Sequence, residues 1–299
     1  MEAIVGGVEA GGTKFLLGLR RGGAVLAQAR VDTRDPDATM RDVARFFEAA
    51  RAEHGQPAAV GLATFGPVEL DPANARYGRI VDTPKPGWDG FDIRGALAAA
   101  TAAPVAIETD VNAAAWAEGL RGACRGLERH CYVTVGTGIG VGFVEDGHPA
   151  RAFPHPEAGH LRVGRAAGDD FPGLCPYHGD CLEGLACGPA MTARWGASGS
   201  QLPAGHAAWD FEAHYIAALC VNLSYAYRPQ RIILGGGVFN AAHLMGHVRS
   251  AFTALLGGYA PGPHAASPLT YLAPPALVDP SPGLEGAFLL GERLAATGC

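Results

Sequence analysis

Three features of the chain predict an α/β protein of two domains. A glycine-rich hairpin occurs twice, first at residues 3–19 and again at 132–144. Segments with helical spacing alternate with short apolar, β-branched runs, as in layered α/β sheets. At 299 residues the chain has room for two cores of ordinary size.

The elements follow in order. Residues 3–8 are apolar and glycine-spaced, and 15–19 resume the apolar run after Gly11-Gly12-Thr13-Lys14, which reads as strand, turn, strand. A third strand is expected over 24–31. Val43, Phe46 and Phe47 lie at helical spacing within 40–53, and 60–64 form a short buried strand. Residues 66–95, rich in Gly, Pro and Asp and containing Thr83-Pro-Lys85-Pro-Gly-Trp88, suit an ordered functional loop. A helix over 94–100 and a strand over 105–108 lead to Thr109-Asp110-Val111-Asn112 and an alanine-rich helix to residue 120. The theme then restarts: strand 133–135, turn 136–140, strand through 144. Helix 211–227, strand 231–234, the turn at 235–237 and a last helix over 286–296 complete the pattern. The expected domains are 1–112 and 113–285, with the terminal helix 286–299 a candidate to pack back on the first.

Composition narrows the function. A hydrophobic content of 48% with 17% charged residues fits a well-packed soluble enzyme. A net charge of −6 argues against a general nucleic-acid surface, so no nucleic-acid partner is expected. The start, Met1-Glu-Ala-Ile-Val-Gly-Gly, has neither a basic segment nor a long apolar run, so the expectation is a cytoplasmic protein without a membrane partner. Cys124, Cys131, Cys187, Cys220 and Cys299 are expected to be reduced, small apolar filler rather than a disulfide framework.

The densest chemical signal is His160 followed by Cys175-x-x-His178-x-x-Cys181. Four Cys and His ligands at short regular gaps are what a tetrahedral Zn²⁺ needs, and a full protein set makes the site structural, with no position left for water. The alternative is two buried cysteines beside two surface histidines.

The first turn superficially has Walker A spacing, but its Lys and Thr are in the wrong order and a strand follows, so that reading is rejected. What remains is a row of backbone N–H groups, with Thr13 and Lys14 as added donors for a phosphate. The turn at 136–140 is similar and lacks the dinucleotide fingerprint. Either turn alone could be simply a tight turn; two facing one cleft would cradle a polyphosphate. Asp110, at the carboxyl end of a strand, can accept a proton from a substrate hydroxyl, or it can cap the following helix. Glu157 and Glu183 bracket the candidate metal loop, where carboxylates can accept from sugar hydroxyls or simply be solvated. The triple glycine at 235–237 can admit a flat adenine ring or make a plain turn.

The motifs at 9–14, 63–67, 83–88, 108–112, 136–140, 155–160, 175–184 and 234–238 together resemble the ROK family of sugar kinases and repressors, and within it the bacterial fructokinases. The resemblance spans nearly the whole chain. It implies two actin-like, ribonuclease H-type domains with a cleft between them. It further implies Asp110 as catalytic base; Asn112, Glu157, His160 and Glu183 as sugar contacts; and Gly11, Gly12, Thr13, Lys14, Gly136, Thr137, Gly138, Gly236 and Gly237 around the nucleotide. His160, Cys175, His178 and Cys181 would ligate structural Zn²⁺, Mg²⁺ would arrive with ATP, and the protein would be a homodimer acting on ATP and a hexose. ROK glucokinases usually carry Asn before the catalytic Asp, whereas this chain has Thr109, as the fructokinase group does. Losing the amide removes donors for a pyranose hydroxyl, which favours fructose over glucose; a kinase for another hexose or amino sugar, such as mannose, glucose or N-acetylmannosamine, is an alternative. His178 departs from the commoner Cys-x-Cys zinc pattern, yet imidazole remains a good ligand. A repressor of this family would carry a helix-turn-helix before the hairpin, which here begins by residue 4; a non-catalytic sugar sensor is the other alternative.

Overall fold

The structure, a computed structural model, describes residues 2–259, 262 and 265–298; Cys299 lies outside them. In chain order the elements are β1 (Ile4–Ala10), β2 (Lys14–Arg21), β3 (Ala24–Asp32), α1 (Pro36–His54), β4 (Ala59–Thr64), α2 (Ile93–Thr101), β5 (Val105–Thr109) and α3 (Asp110–Arg121). There follow β6 (His130–Val135), β7 (Ile139–Glu145), β8 (His148–Pro149), α4 (Leu182–Ala186), α5 (Gly188–Trp195), α6 (Ala208–Ala226) and β9 (Arg231–Gly235). Last come α7 (Leu244–Leu256), α8 (Pro268–Tyr271), β10 (Leu272–Ala273) and α9 (Pro282–Thr297). The helices α4, α5, α7 and α8 and the two-residue strands β8 and β10 have no counterpart among the expected elements.

The chain forms two compact units: residues 1–117, 149–156 and 277–299 in the first, 118–148 and 157–276 in the second. Segment 149–156, which carries His155, thus joins the first unit rather than the second, because it packs against residues 1–117.

In the first unit the sheet order is β3-β2-β1-β4-β5, with β1, β2 and β3 antiparallel and β4 and β5 parallel to β1. Strand alternation sends neighbours to opposite faces. A side chain at Gly6 would meet Phe47 of α1, whereas one at Gly7 would meet Phe288 of α9, so a helix covers each face of β1. All six residues of β4 are accordingly buried, as a strand covered on both faces requires. On the α9 side, buried Arg20 pairs with buried Glu285 at 2.8 Å and with Glu292 at 2.6 Å, and its guanidinium lies 4.4 Å from the centre of the Phe288 ring. Two carboxylates and an aromatic face compensate one buried cation, which ties α9 to β2.

In the second unit the order is β10-β9-β6-β7-β8, with β6 and β7 antiparallel and β9 and β10 parallel to β6. Reading outward from the hairpin, this repeats the first sheet strand for strand. Helix α6, buried through Trp209, Tyr215, Ile216, Leu219 and Leu223, packs on α7. Cys124, Cys131, Cys175, Cys181, Cys187 and Cys220 are free and buried.

Candidate functional site

Turn one, Gly11 to Thr13, closes with the Gly11 N–H donating to the Lys14 carbonyl at 2.9 Å. The residue that follows β3 holds it from the side: Thr33 N–H donates to the Thr13 carbonyl at 3.0 Å and Thr33 Oγ1 to the Gly11 carbonyl at 2.8 Å. Lys85 Nζ donates to the Gly12 carbonyl from loop 66–92. Neither the Gly12 nor the Thr13 N–H has an acceptor among the described residues. The space above Gly12 is open, so an anion could approach those donors.

The carboxyl end of β5 carries the candidate base. Thr109, 4% exposed, accepts the Asn112 N–H on its Oγ1 at 3.2 Å and so caps α3. Asp110 is the first residue of that helix, half-buried, with Oδ1 accepting the Val111 N–H at 2.9 Å. The helix is therefore capped by Thr109.

Asn112 is 2% exposed, with Nδ2 donating to Glu108 Oε1 at 3.2 Å and Oδ1 3.3 Å from His155 Nε2. Both ends of its amide are engaged within the protein. Burial pushes the His155 ring down to about 4, so the neutral ring donates Nε2–H to the Asn112 oxygen. Burial also raises the Glu108 carboxyl, with bonds from Thr109 and Asn112 opposing it. Glu108, His155 and Lys85 stand inside the motifs quoted above, yet no role was drawn for them from sequence.

In the second unit, ligand atoms of His160, Cys175, His178 and Cys181 all lie within 4.8 Å of one another. His160 Nδ1 is 3.4 Å from Cys181 Sγ and 3.6 Å from Cys175 Sγ, and His178 Nδ1 is 3.5 Å from Cys175 Sγ. Bonds of about 2.0–2.3 Å to zinc give tetrahedron edges of roughly 3.3–3.8 Å. The donor set therefore fits that ion. Burial pushes the Cys181 thiol up to about 11, so a thiolate there needs a cation beside it. A knuckle between Cys175 and Gly179, bonded both ways at 3.1 and 2.8 Å, presents the sulfur.

This segment abuts turn two. Leu182 N–H donates to the Leu161 carbonyl at 3.0 Å, joining the two stretches that carry ligands. Glu183, two residues past Cys181, accepts the Ile139 N–H on Oε2 at 2.8 Å, and a side chain at Gly138 would strike that carboxylate. A Cβ on Gly159 would collide with the Ile139 carbonyl, so only glycine lets the His160 turn sit there. Gly188 N–H donates to the Gly136 carbonyl at 2.8 Å. The other oxygen of Glu183 lies 4.0 Å from His160 Nε2, the ring nitrogen turned away from the cysteines. Burial raises the Glu157 carboxyl, with Glu183 adding and His160 opposing.

At the triple glycine, Gly236 has φ +92°, and a Cβ there would lie 2.5 Å from the Val135 backbone, so this glycine serves packing against β6. Gly237 has open space above it, which leaves room for a planar ligand.

The model of the ROK family matches residues 5–293. The chain is 39% identical to a fructokinase of Pediococcus pentosaceus over 97% of this chain and 98% of that one. It is 38% identical to a fructokinase of Zymomonas mobilis subsp. mobilis over 97% and 96% of the two chains. The crystal structure of a ROK hexokinase from Thermus thermophilus superposes with a TM-score of 0.75 at 30% identity, covering 99% of this chain and 100% of the other.

Proposed function

The chain belongs to the ROK family, and we propose that it transfers the γ-phosphoryl group of ATP to a hexose, D-fructose, giving fructose 6-phosphate. It is an ATP-dependent sugar kinase. The observation that carries the reading is full-length likeness to fructokinases, with 97% of this chain aligned.

Asp110 is the general base. It stands at a strand end, half-buried, with the capping of α3 left to Thr109, so its carboxylate can take the proton of the attacking hydroxyl. Glu108, Asn112 and His155 hold that strand end in shape through one hydrogen-bonded chain. On the family resemblance, Gly11, Gly12, Thr13 and Lys14 of turn one, Gly136, Thr137 and Gly138 of turn two, and Gly237 are assigned as nucleotide contacts. Glu157 and Glu183 accept from sugar hydroxyls, and His160, whose Nδ1 faces the zinc, donates its Nε2–H to a sugar oxygen.

Mg²⁺ comes with ATP, whose phosphates supply most of its ligands, and neutralises charge on them. Structural Zn²⁺ is held by His160 Nδ1, Cys175, His178 and Cys181, and it fixes the segment that buttresses turn two. We further assign a homodimer in the cytoplasm, on the family resemblance; no helix of the described residues is long and apolar enough to cross a membrane.

The test is ADP release with Mg-ATP and a panel of fructose, mannose, glucose and N-acetylmannosamine. Turnover highest on fructose is expected. A different preferred sugar overturns the specificity, and silence on all four overturns the kinase reading.

A further inference from the structure

Loop 66–92 is ordered without regular secondary structure. Bridges between Val68 and Ile80 and between Arg79 and Asp92 fold it, and Trp88 anchors it. The Trp88 side chain is 0% exposed, its Nε1–H donates to the Arg34 carbonyl at 2.9 Å, and its ring lies 5.3–5.8 Å from those of Phe15, Phe65 and Phe91. An aromatic cluster of this kind fixes backbone direction. Lys85 stands three residues before it, between Pro84 and Pro86, and its side chain reaches turn one.

The ammonium there is poorly compensated. It has three donors, the Gly12 carbonyl accepts one, and among the described residues no carboxylate lies within ion-pair distance. Burial already lowers the Lys85 ammonium from its ordinary value. A half-buried cation with spare donors calls for an anion. Beside it are the two N–H groups of turn one, on Gly12 and Thr13, that have no acceptor among the described residues. A cation and two backbone donors converging on one open turn suit a phosphoryl oxygen.

We propose that Lys85 contacts the phosphoryl group in transfer at turn one and neutralises its charge in the transition state. This rests on the kinase reading. The bond from the γ-phosphorus to the ADP oxygen breaks, the bond to the sugar oxygen forms and the hydroxyl proton goes to Asp110. Lys85 gains and loses no proton and supplies positive charge and donors where equatorial oxygens carry the charge. Lys14, exposed on β2, does not reach this position in the structure, being bonded to turn one only through its backbone.

The test compares wild type with Lys85→Met and Lys85→Arg in steady-state turnover of Mg-ATP and fructose. Loss of one such donor should lower kcat by about 10²–10³-fold in Lys85→Met. Lys85→Arg should retain more activity, Mg-ADP affinity should hardly change, and the melting temperature of both variants should match wild type. A kcat for Lys85→Met within about threefold of wild type, well short of the loss of one such donor, overturns the proposal. So does a raised fructose KM at unchanged kcat, which would make Lys85 a sugar contact, or an equal loss of Mg-ADP affinity, which would move it to the phosphates that stay behind. Silence of the wild type on every sugar would break the kinase reading instead; titration with tripolyphosphate would then judge Lys85, about tenfold weaker binding by Lys85→Met supporting the anion site and equal binding ending it.

Discussion

Turn one, between β1 and β2, is flanked by an ammonium, and turn two, between β6 and β7, by a carboxylate, although the hairpins hold equivalent places in sheets of one topology. Turn one is braced by Thr33, which follows β3, and by a loop pinned by Trp88. Turn two is braced by a segment with almost no regular structure, through Glu183, Gly159 and Gly188, and that segment brings together four side chains that could hold a metal ion. Duplicated topology has therefore been given two different means of support. The first should survive metal loss and the second should not.

The largest effect expected falls on the first unit without disturbing either turn. Asp110→Asn removes the base while Thr109 still caps α3, so kcat should fall by about 10²–10⁴-fold with an unchanged melting temperature. Turnover close to wild type in an ADP-release assay would remove Asp110 from the mechanism. The buried ion pair gives the next effect: Glu285→Ala leaves Arg20 with Glu292 alone, and unfolding by denaturant should show a loss of about 3 kcal/mol. An unchanged midpoint would mean that Glu292 compensates fully.

Acid probes the first unit through His155. His155 titrates near 4 when folded and near 6.5 when unfolded, so the unfolded chain binds the extra proton between those values. Stability should decline as pH falls from about 6.5 to about 4, by roughly 3 kcal/mol in all, and His155→Gln should flatten that stretch of a melting-temperature profile. The smallest effect concerns the cap: Thr109→Ala should cost about 1 kcal/mol in denaturant unfolding, whereas Thr109→Asn, another good cap, should cost little. If Thr109→Asn also leaves the fructose-to-glucose ratio unchanged, the residue acts through α3 and not on the sugar.

Much of this was legible in the sequence where a local rule was strong. The glycine hairpins, β4 with its unbroken apolar run and the alanine-rich α3 are elements whose periodicity or turn chemistry decides the outcome locally. The grouping of His160, Cys175, His178 and Cys181 was legible because the short spacing of Cys175, His178 and Cys181 is what ligand chemistry asks for. Helix α7 was not: Leu244, Val248, Phe252 and Leu256 make a stripe one residue wide, with Gly246 inside it. Two-residue strands such as β8 and β10 exist only by pairing with a neighbour, which no local pattern records. The engagement of Asn112 by Glu108 and His155, the seating of Glu183 on Ile139 and the reach of Lys85 to Gly12 are tertiary facts. Each residue stood in a quoted motif, but its partner lay elsewhere in the chain or its geometry had no sequence signal.

The contrast between the turns is tested most directly by amide hydrogen exchange of the zinc-replete and chelator-treated protein, followed in peptides spanning β1 to β2 and β6 to β7. Zinc removal should speed exchange at Ile139 and its neighbours and leave residues 10–15 as protected as before. Equal protection of turn two with and without zinc, in protein shown to have lost the metal, would contradict the claim that the metal-bearing segment supports it.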